Sequence, residues 1–182
     1  MSGTNIFMQV IAATGPVIGE GLKDGFQGSI ELDSFTWAMT AQKQAEFLSA
    51  GNVVASMGSL IGLSPIKSYT WAELSITKKF DVASPILHTY LDNHVLILSV
   101  SITVLHIKPG GRTIHQPGFV LAMQNGYFTK SSLALSSSGG AAELTETMAF
   151  NGTGITISYV KSLGKDNVPT NPFVAIKPSS GG

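Results

Sequence analysis

The sequence predicts a mainly β (α+β) chain in which antiparallel strands carry one short flanking helix, and three observations lead there. Apolar and small polar residues alternate with period two in several stretches, as in Leu74-Ser-Ile-Thr77 and around Leu98, Val100, Ile102 and Val104. Twenty glycines and abundant Ser, Thr, Val and Ile suit strands joined by turns better than a helical bundle. Only Ser84 to His94 carries helix signals. The 182 residues suffice for one domain with a real core and demand no second.

Ile6 to Ile11 is the first expected strand, followed by a Gly- and Pro-bearing connection through Gly25. Gly28 to Thr40 reads as one strand, with Phe35, Trp37 and Met39 on its core side and Ser34, Thr36 and Ala38 on a wet side. From Ala41 to Ser68 the periodicity fails, yet Phe47, Leu48, Val53, Val54, Met57, Leu60 and Ile61 make the segment too apolar for a solvated loop. Such a loop asks for a partner surface. Leu74 and Ile76 mark the buried face of the next strand, and the chain then turns at Asp81. Ser84 is the expected N-cap and Pro85 the first helical residue, because proline lacks only an N–H that would be orphaned there. Ile86, Leu87, Tyr90 and Leu91 then give the helix one apolar stripe for a sheet to cover.

Leu96 to Ile107 is a long strand ending at the turn Pro109-Gly110-Gly111. Phe119 to Leu135 contains Asn125-Gly126, which the local rule reads as a two-residue hairpin. Ser136 to Gly140 is a small-residue loop. Leu144, Met148 and Phe150, then Ile155, Ile157 and Tyr159, mark two final strands around a hairpin at Asn151-Gly152. Beyond Ser162, three prolines and a Ser-Ser-Gly-Gly end read as a tail ordered, if at all, by lying on a neighbour.

Charged residues are only 12% of the chain, and 11 basic side chains balance 11 acidic ones, so no global field favours nucleic acid, an anionic membrane or an acidic substrate. The absence of cysteine removes disulfides, thiolate nucleophiles and Cys metal sites. The apolar run Ile6 to Ala13 is interrupted by Gln9 and precedes the first basic residue, Lys23, so it does not read as a signal peptide. Val95 to Ile107 alternates like a strand and falls short of a membrane span. The expectation is a soluble protein made in the cytoplasm.

No catalytic constellation emerges, and the expectation is that the protein is not an enzyme and needs no cofactor. Gly58-Ser-Leu-Ile-Gly62 has its serine in the wrong place for a nucleophile elbow, and Gly152-Thr-Gly154 lacks the third glycine and the helix of a dinucleotide fingerprint. His88 and Asp92 share a helical face and His94 follows, a set able to hold a metal, but a solvated helix face is the simpler reading and no metal site is assigned. His106 and His115 flank a turn as exposed strand ends. Trp37 and Trp71 read as core aromatics, since no basic groove accompanies them.

Taken together, these residues resemble the Hcp (haemolysin-coregulated protein) family, the inner-tube subunit of bacterial type VI secretion systems. The likeness is carried by the Gly28-Ser-Ile-Glu-Leu stretch running into Phe35-Thr36-Trp37, by Leu74-Ser-Ile-Thr-Lys78, by the Asp81-x-x-Ser-Pro85 helix start, and by Glu143-Leu-Thr-Glu-Thr-Met-Ala-Phe150 leading to Ile157-Ser-Tyr159. The resemblance implies two packed antiparallel sheets forming a β-barrel, with the helix of about 84–94 at its side. It also implies a domain of 1–162 with an extended loop 41–68, to which composition adds a flexible or neighbour-contacting tail of 163–182 without an obvious counterpart in the family. It further implies a structural subunit: hexameric rings that stack into a tube, carry effectors in the lumen, and are propelled with a VgrG-type spike protein by a contractile sheath. Secretion would then occur without a cleaved signal peptide. Ser34 and Thr36 become the expected lumen contacts, and Val53, Val54, Met57, Leu60 and Ile61 the interface loop. In that family the strand matching Phe119 to Leu135 continues through a bulge, which favours a bend over a hairpin at Asn125-Gly126. Two alternatives stay open: a phage-like tail-tube protein, and a monomeric ligand-binding β-barrel using His88, Asp92 and His94.

Overall fold

The computed structural model describes residues 5–42, 68–71, 73–107, 113–138, 141–159 and 173–176. In chain order the elements are β1 (Ile6–Ala12), β2 (Gly15–Val17), β3 (Ile30–Glu31), β4 (Ser34–Thr36), β5 (Met39–Gln42), β6 (Ser68–Trp71), β7 (Leu74–Lys79), α1 (Ser84–Asp92), β8 (Ile97–Ile107), β9 (Thr113–Ser138), β10 (Ala141–Tyr159) and β11 (Phe173–Ile176). Among the described residues the chain is therefore mainly β with one short helix, and all their pairings are antiparallel.

Nine strands share one sheet, ordered β2-β1-β8-β9-β10-β7-β4, with β3 also on β1 and β11 also on β10. Two walls arise because β9 and β10 are long and bend together. The first part of β9 pairs with β8 up to Gly126, and the last part of β10 pairs with β11 through 155–158. Past the bend, β10 pairs with β7 through 145–150, while β9 has only β10 as partner among the described residues. The bend sits where Asn125 takes a left-handed φ of 49° and the β10 register shifts between Ala149 and Phe150. Asn125-Gly126 is thus a bend within a continuous strand. The hairpin expected at Asn151-Gly152 does not form: Asn151 and Gly152 stay paired to Tyr127 and Gly126. The pairing of the two strands runs instead out to Ser138 and Ala141.

One hydrophobic cluster fills the space between the walls. It joins Met8 and Val10 of β1, Val100 and Ile102 of β8, Leu121, Met123 and Phe128 of β9, Met148, Phe150 and Ile155 of β10, and Leu74 and Ile76 of β7, with Leu87 of α1 against it. Phe128 and Phe150 meet edge to face at 5.5 Å across the bend. Trp37 is partly buried against this cluster, as its strand face predicts.

Gly28 to Thr40, expected as one strand, divides in three because its pieces serve different neighbours. β3 pairs with β1, and β4 pairs with β7. The switch takes one residue: the Leu32 amide bonds to Ile6 O at 3.0 Å and the next amide, of Asp33, to Thr77 O at 2.9 Å. Among the described residues no ladder joins β1 directly to β7, and the segment Ile30–Thr36 pairs with both. The non-periodic stretch 41–68 also begins and ends in strand, since β5 pairs with β6 as a separate two-stranded stem. Within the segment expected as a tail, Phe173–Ile176 pairs with Ile155–Ser158.

Ser84 is not the N-cap of α1: Ala83 is, and Ser84 lies in the first turn with its hydroxyl turned into the protein. Asp81 takes over part of the capping, accepting the Ala83 amide at 2.9 Å. At the other end His94 adopts φ 48°, and the amides of His94 and Val95 bond back to Leu91 O and Tyr90 O. That is a Schellman ending with histidine in the position usually given to glycine.

Candidate functional site

Two features stand out on the β4-β7-β10-β9 wall, one on each face. The outward face is built from the alternation already visible in β7, where Leu74, Ile76 and Lys78 are buried and Ser75, Thr77 and Lys79 point the other way. The pairing registers extend that face across four strands. One row runs Ser34, Thr77, Thr147, Ser132, and the next Thr36, Ser75, Ala149, Lys130. Ser34 and Thr36 are exposed, on one margin of this hydroxyl-rich surface. Thr77 and Thr147 bond to each other at 3.1 Å. Toward the β9 margin a concavity of about 560 Å³ is lined by Ser75, Ser132, Thr147 and the ion pair Glu73–Lys130. Bonds from Lys130 and Thr129 hold the Glu73 carboxyl below the usual carboxylate range. The surface therefore offers neutral hydrogen-bonding groups and two compensated charge pairs, Glu73–Lys130 and Lys79–Glu143.

The inward face carries a buried ionic network beneath α1. Lys78 is 0% and Glu146 1% exposed, and they are direct cross-strand partners. Lys78 Nζ lies 2.8 Å from Glu146 Oε1 and 2.6 Å from Asp81 Oδ1, and also donates to Ser84 Oγ and Lys79 O. Ser84 Oγ donates to Glu146 Oε1 at 2.6 Å, while His88 Nε2 sits 2.8 Å from Glu146 Oε2. Burial pushes the Glu146 carboxyl up, but bonds from Lys78, Ser84 and His88 and the lysine charge outweigh it and hold the carboxyl below its ordinary value of 4.5. A depressed carboxyl pKa stabilises the fold above the ordinary value, and that stability is lost as pH falls through the folded-state value. The urea midpoint is therefore expected to be level from about pH 7 to 5 and to drop toward about pH 3; a midpoint unchanged at pH 3 would contradict the assignment.

His88, read from the sequence as part of a solvated helix face, is instead partly buried and bonded to Glu146. Among the described residues no group of three or more His, Asp or Glu able to hold a metal forms, and His94 serves as the helix ending. Val53, Val54, Met57, Leu60 and Ile61 lie outside the described residues, between the two strands of the β5–β6 stem. Side chains of Trp71, His106 and His115 also lie outside what is described. Sequence reasoning missed Thr147 and Ser132, whose place beside Ser34 depends on long-range register. It missed the network as well, although Lys78 standing in phase with Leu74 and Ile76 was a signal for it.

The fold and this polar wall define a class: mainly β, with one sheet bent into two walls that, among the described residues, does not close into a barrel, one flanking helix among those residues and a hydroxyl-rich outer face. A family model described as "Type VI secretion system effector, Hcp" matches residues 7–159, and the chain belongs to the Hcp family. The description of that family places it in the type VI secretion system. Solved structures agree in fold. A mutant Hcp1 from the E. coli EAEC 042 pathovar aligns with a TM-score of 0.65 at 14% identity, covering 92% of this chain and 97% of that one. Hcp1 from Salmonella typhimurium gives 0.65 at 14%, covering 96% and 95%. A chain of the anti-feeding prophage baseplate gives 0.50 at 7%, covering 86% and 94%. No curated protein sequence matches. Among the described residues no helix is long and apolar enough to cross a membrane.

Proposed function

We propose that copies of this chain close into hexameric rings, that the rings stack into the secretion tube, and that the lumen carries effector proteins. The observation that supports this best is the β4-β7-β10-β9 wall. Among the described residues its backbone edges are open at β4 on one side and, past the bend, at β9 on the other, where these strands have partners on one side only. Unlike edges at opposite sides of one sheet suit a head-to-tail contact, and head-to-tail contacts that close give a ring. The hydroxyl face would then line the channel. Neutral hydroxyls repeated around a ring can hold varied proteins weakly and release them, which a carrier must do. Ser34 and Thr36 are the proposed lumen contacts, and Val53, Val54, Met57, Leu60 and Ile61 the proposed contacts between subunits. A VgrG-type spike and a contractile sheath complete the proposed set of partners.

Native mass spectrometry is expected to give a closed oligomer of about six copies, and deletion of 53–61 to reduce it to folded smaller species. A monodisperse monomer at micromolar concentration would sink the reading. Thr36→Gln is expected to preserve ring size and melting temperature while reducing effector co-purification. A broken ring would place Thr36 at a subunit interface instead. The likeness to the anti-feeding prophage baseplate favours one second reading, a phage-like tail tube. Assembly dependent on a tape-measure protein would select it.

A further inference from the structure

α1 is nine residues long, too short to persist alone in water. Of its residues Ser84 and Leu87 are fully buried, while Tyr90 and Leu91 pack partly buried against the core. Apolar burial is non-directional, so these side chains alone fix the rotation and lengthwise position of the helix only loosely. Beside one exposed bond, Tyr90 Oη to Thr14 Oγ1 at 2.7 Å, the ionic network supplies the direction. Ser84 and His88 are four residues apart on one helix face, and each is bonded to a different oxygen of the same carboxylate, Ser84 to Glu146 Oε1 and His88 to Oε2. Lys78, from the adjacent strand, fixes that carboxylate and also reaches Ser84 and Asp81, just ahead of the helix. Ser131 of β9 lies 3.5 Å from His88 Nε2 on the remaining side. Two anchors one turn apart on one rigid group define both the rotation and the lengthwise seat of the helix.

We propose that Glu146, oriented by Lys78, is a positional lock for α1, and that the seat of the helix on the sheet is the main thing this buried pair specifies. Replacing both members of a buried ion pair by apolar side chains of similar size commonly leaves stability unchanged or raises it. The surroundings here tolerate such a change, because Ser84 Oγ retains the Asp81 amide as donor and Asp81 retains the Ala83 amide. His88 is 32% exposed and reaches water.

The test compares amide hydrogen exchange in the full chain and in the double variant Lys78→Met/Glu146→Met. The expected result is exchange at Leu87, His88 and Leu91 faster by about tenfold or more, with β7 and β10 amides unchanged. Unchanged α1 exchange in the folded double variant overturns the proposal. Should that variant not fold, His88→Ala decides, since it cuts only the Oε2 anchor at a part-exposed position. It is expected to accelerate exchange in the last turn of α1 severalfold, and His88→Gln, which keeps a donor, to restore protection. No acceleration in His88→Ala, or none of it rescued by glutamine, overturns the lock.

Discussion

Lys78→Met is expected to cost about 3–5 kcal/mol, the range for breaking a buried ion pair from one side, against a total of about 5–15 for a domain. The cost is not lost packing, since methionine nearly fills the volume of the lysine stem. It comes from Glu146, which would remain at 1% exposure with Ser84 and His88 but without its cation. The pH dependence makes the cause identifiable. With Lys78 present, the Glu146 carboxyl is held low. Without it, burial dominates and pushes the carboxyl up, so the folded state binds a proton more readily than the unfolded one. Stability then rises as pH falls, the opposite of the intact protein. Melting temperatures of Lys78→Met at about pH 8 and pH 5 are expected to increase toward pH 5. A variant with the acid sensitivity of the parent would show that Lys78 does not control Glu146.

Gly126→Val is the second large effect, and its origin is backbone rather than charge. A Cβ at Gly126 would lie 2.7 Å from Gly152 Cα and 2.7 Å from Phe150 Cζ, and inside contact distance of Asn151 O. Two of these obstacles are main chain of β10 and the third is a core aromatic, so nothing flexible can yield. The expected loss lies at or above the upper end of the roughly 1–3 kcal/mol typical of overpacking. Gly154→Ala serves as the control. Its Cβ would meet only Gln124 side-chain atoms, at 3.8 Å, and the change is expected to stay within about 0.5 kcal/mol. Urea midpoints for the two variants are the measurement, and equal midpoints would mean that the close approach at the bend is not what requires glycine at 126.

These two sites also show how far the sequence could be read. The β class, the helix near Ser84–Asp92 and the outward placing of Ser34 and Thr36 all follow from local periodicity, because strand alternation and helix spacing are properties of consecutive residues. What local rules could not supply was pairing. Asn125-Gly126 and Asn151-Gly152 carry the same hairpin signature, yet they lie opposite each other in a shared bend. The glycines there answer to close approach between strands, and that is visible only once Gly126 is known to face Gly152. The helix start failed for a similar reason: Ser84 is a good N-cap by type, but a buried lysine and carboxylate compete for its hydroxyl. Lys78 was in phase with the core from the start, and only Glu146 on a distant strand explains how it can be there.

The shared bend of β9 and β10 has a mechanical meaning. In a sandwich of two separate sheets, a force along one sheet reaches the other only through side-chain contacts, and the layers can slide as those contacts re-form. Here two adjacent strands pass unbroken from one wall to the other, with Phe128 and Phe150 interlocked inside the corner. Shear between the walls would have to stretch covalent backbone or strip hydrogen bonds from two paired strands at once. A subunit pushed on one wall therefore moves as a stiff unit, transmitting thrust through its corner with little internal slip.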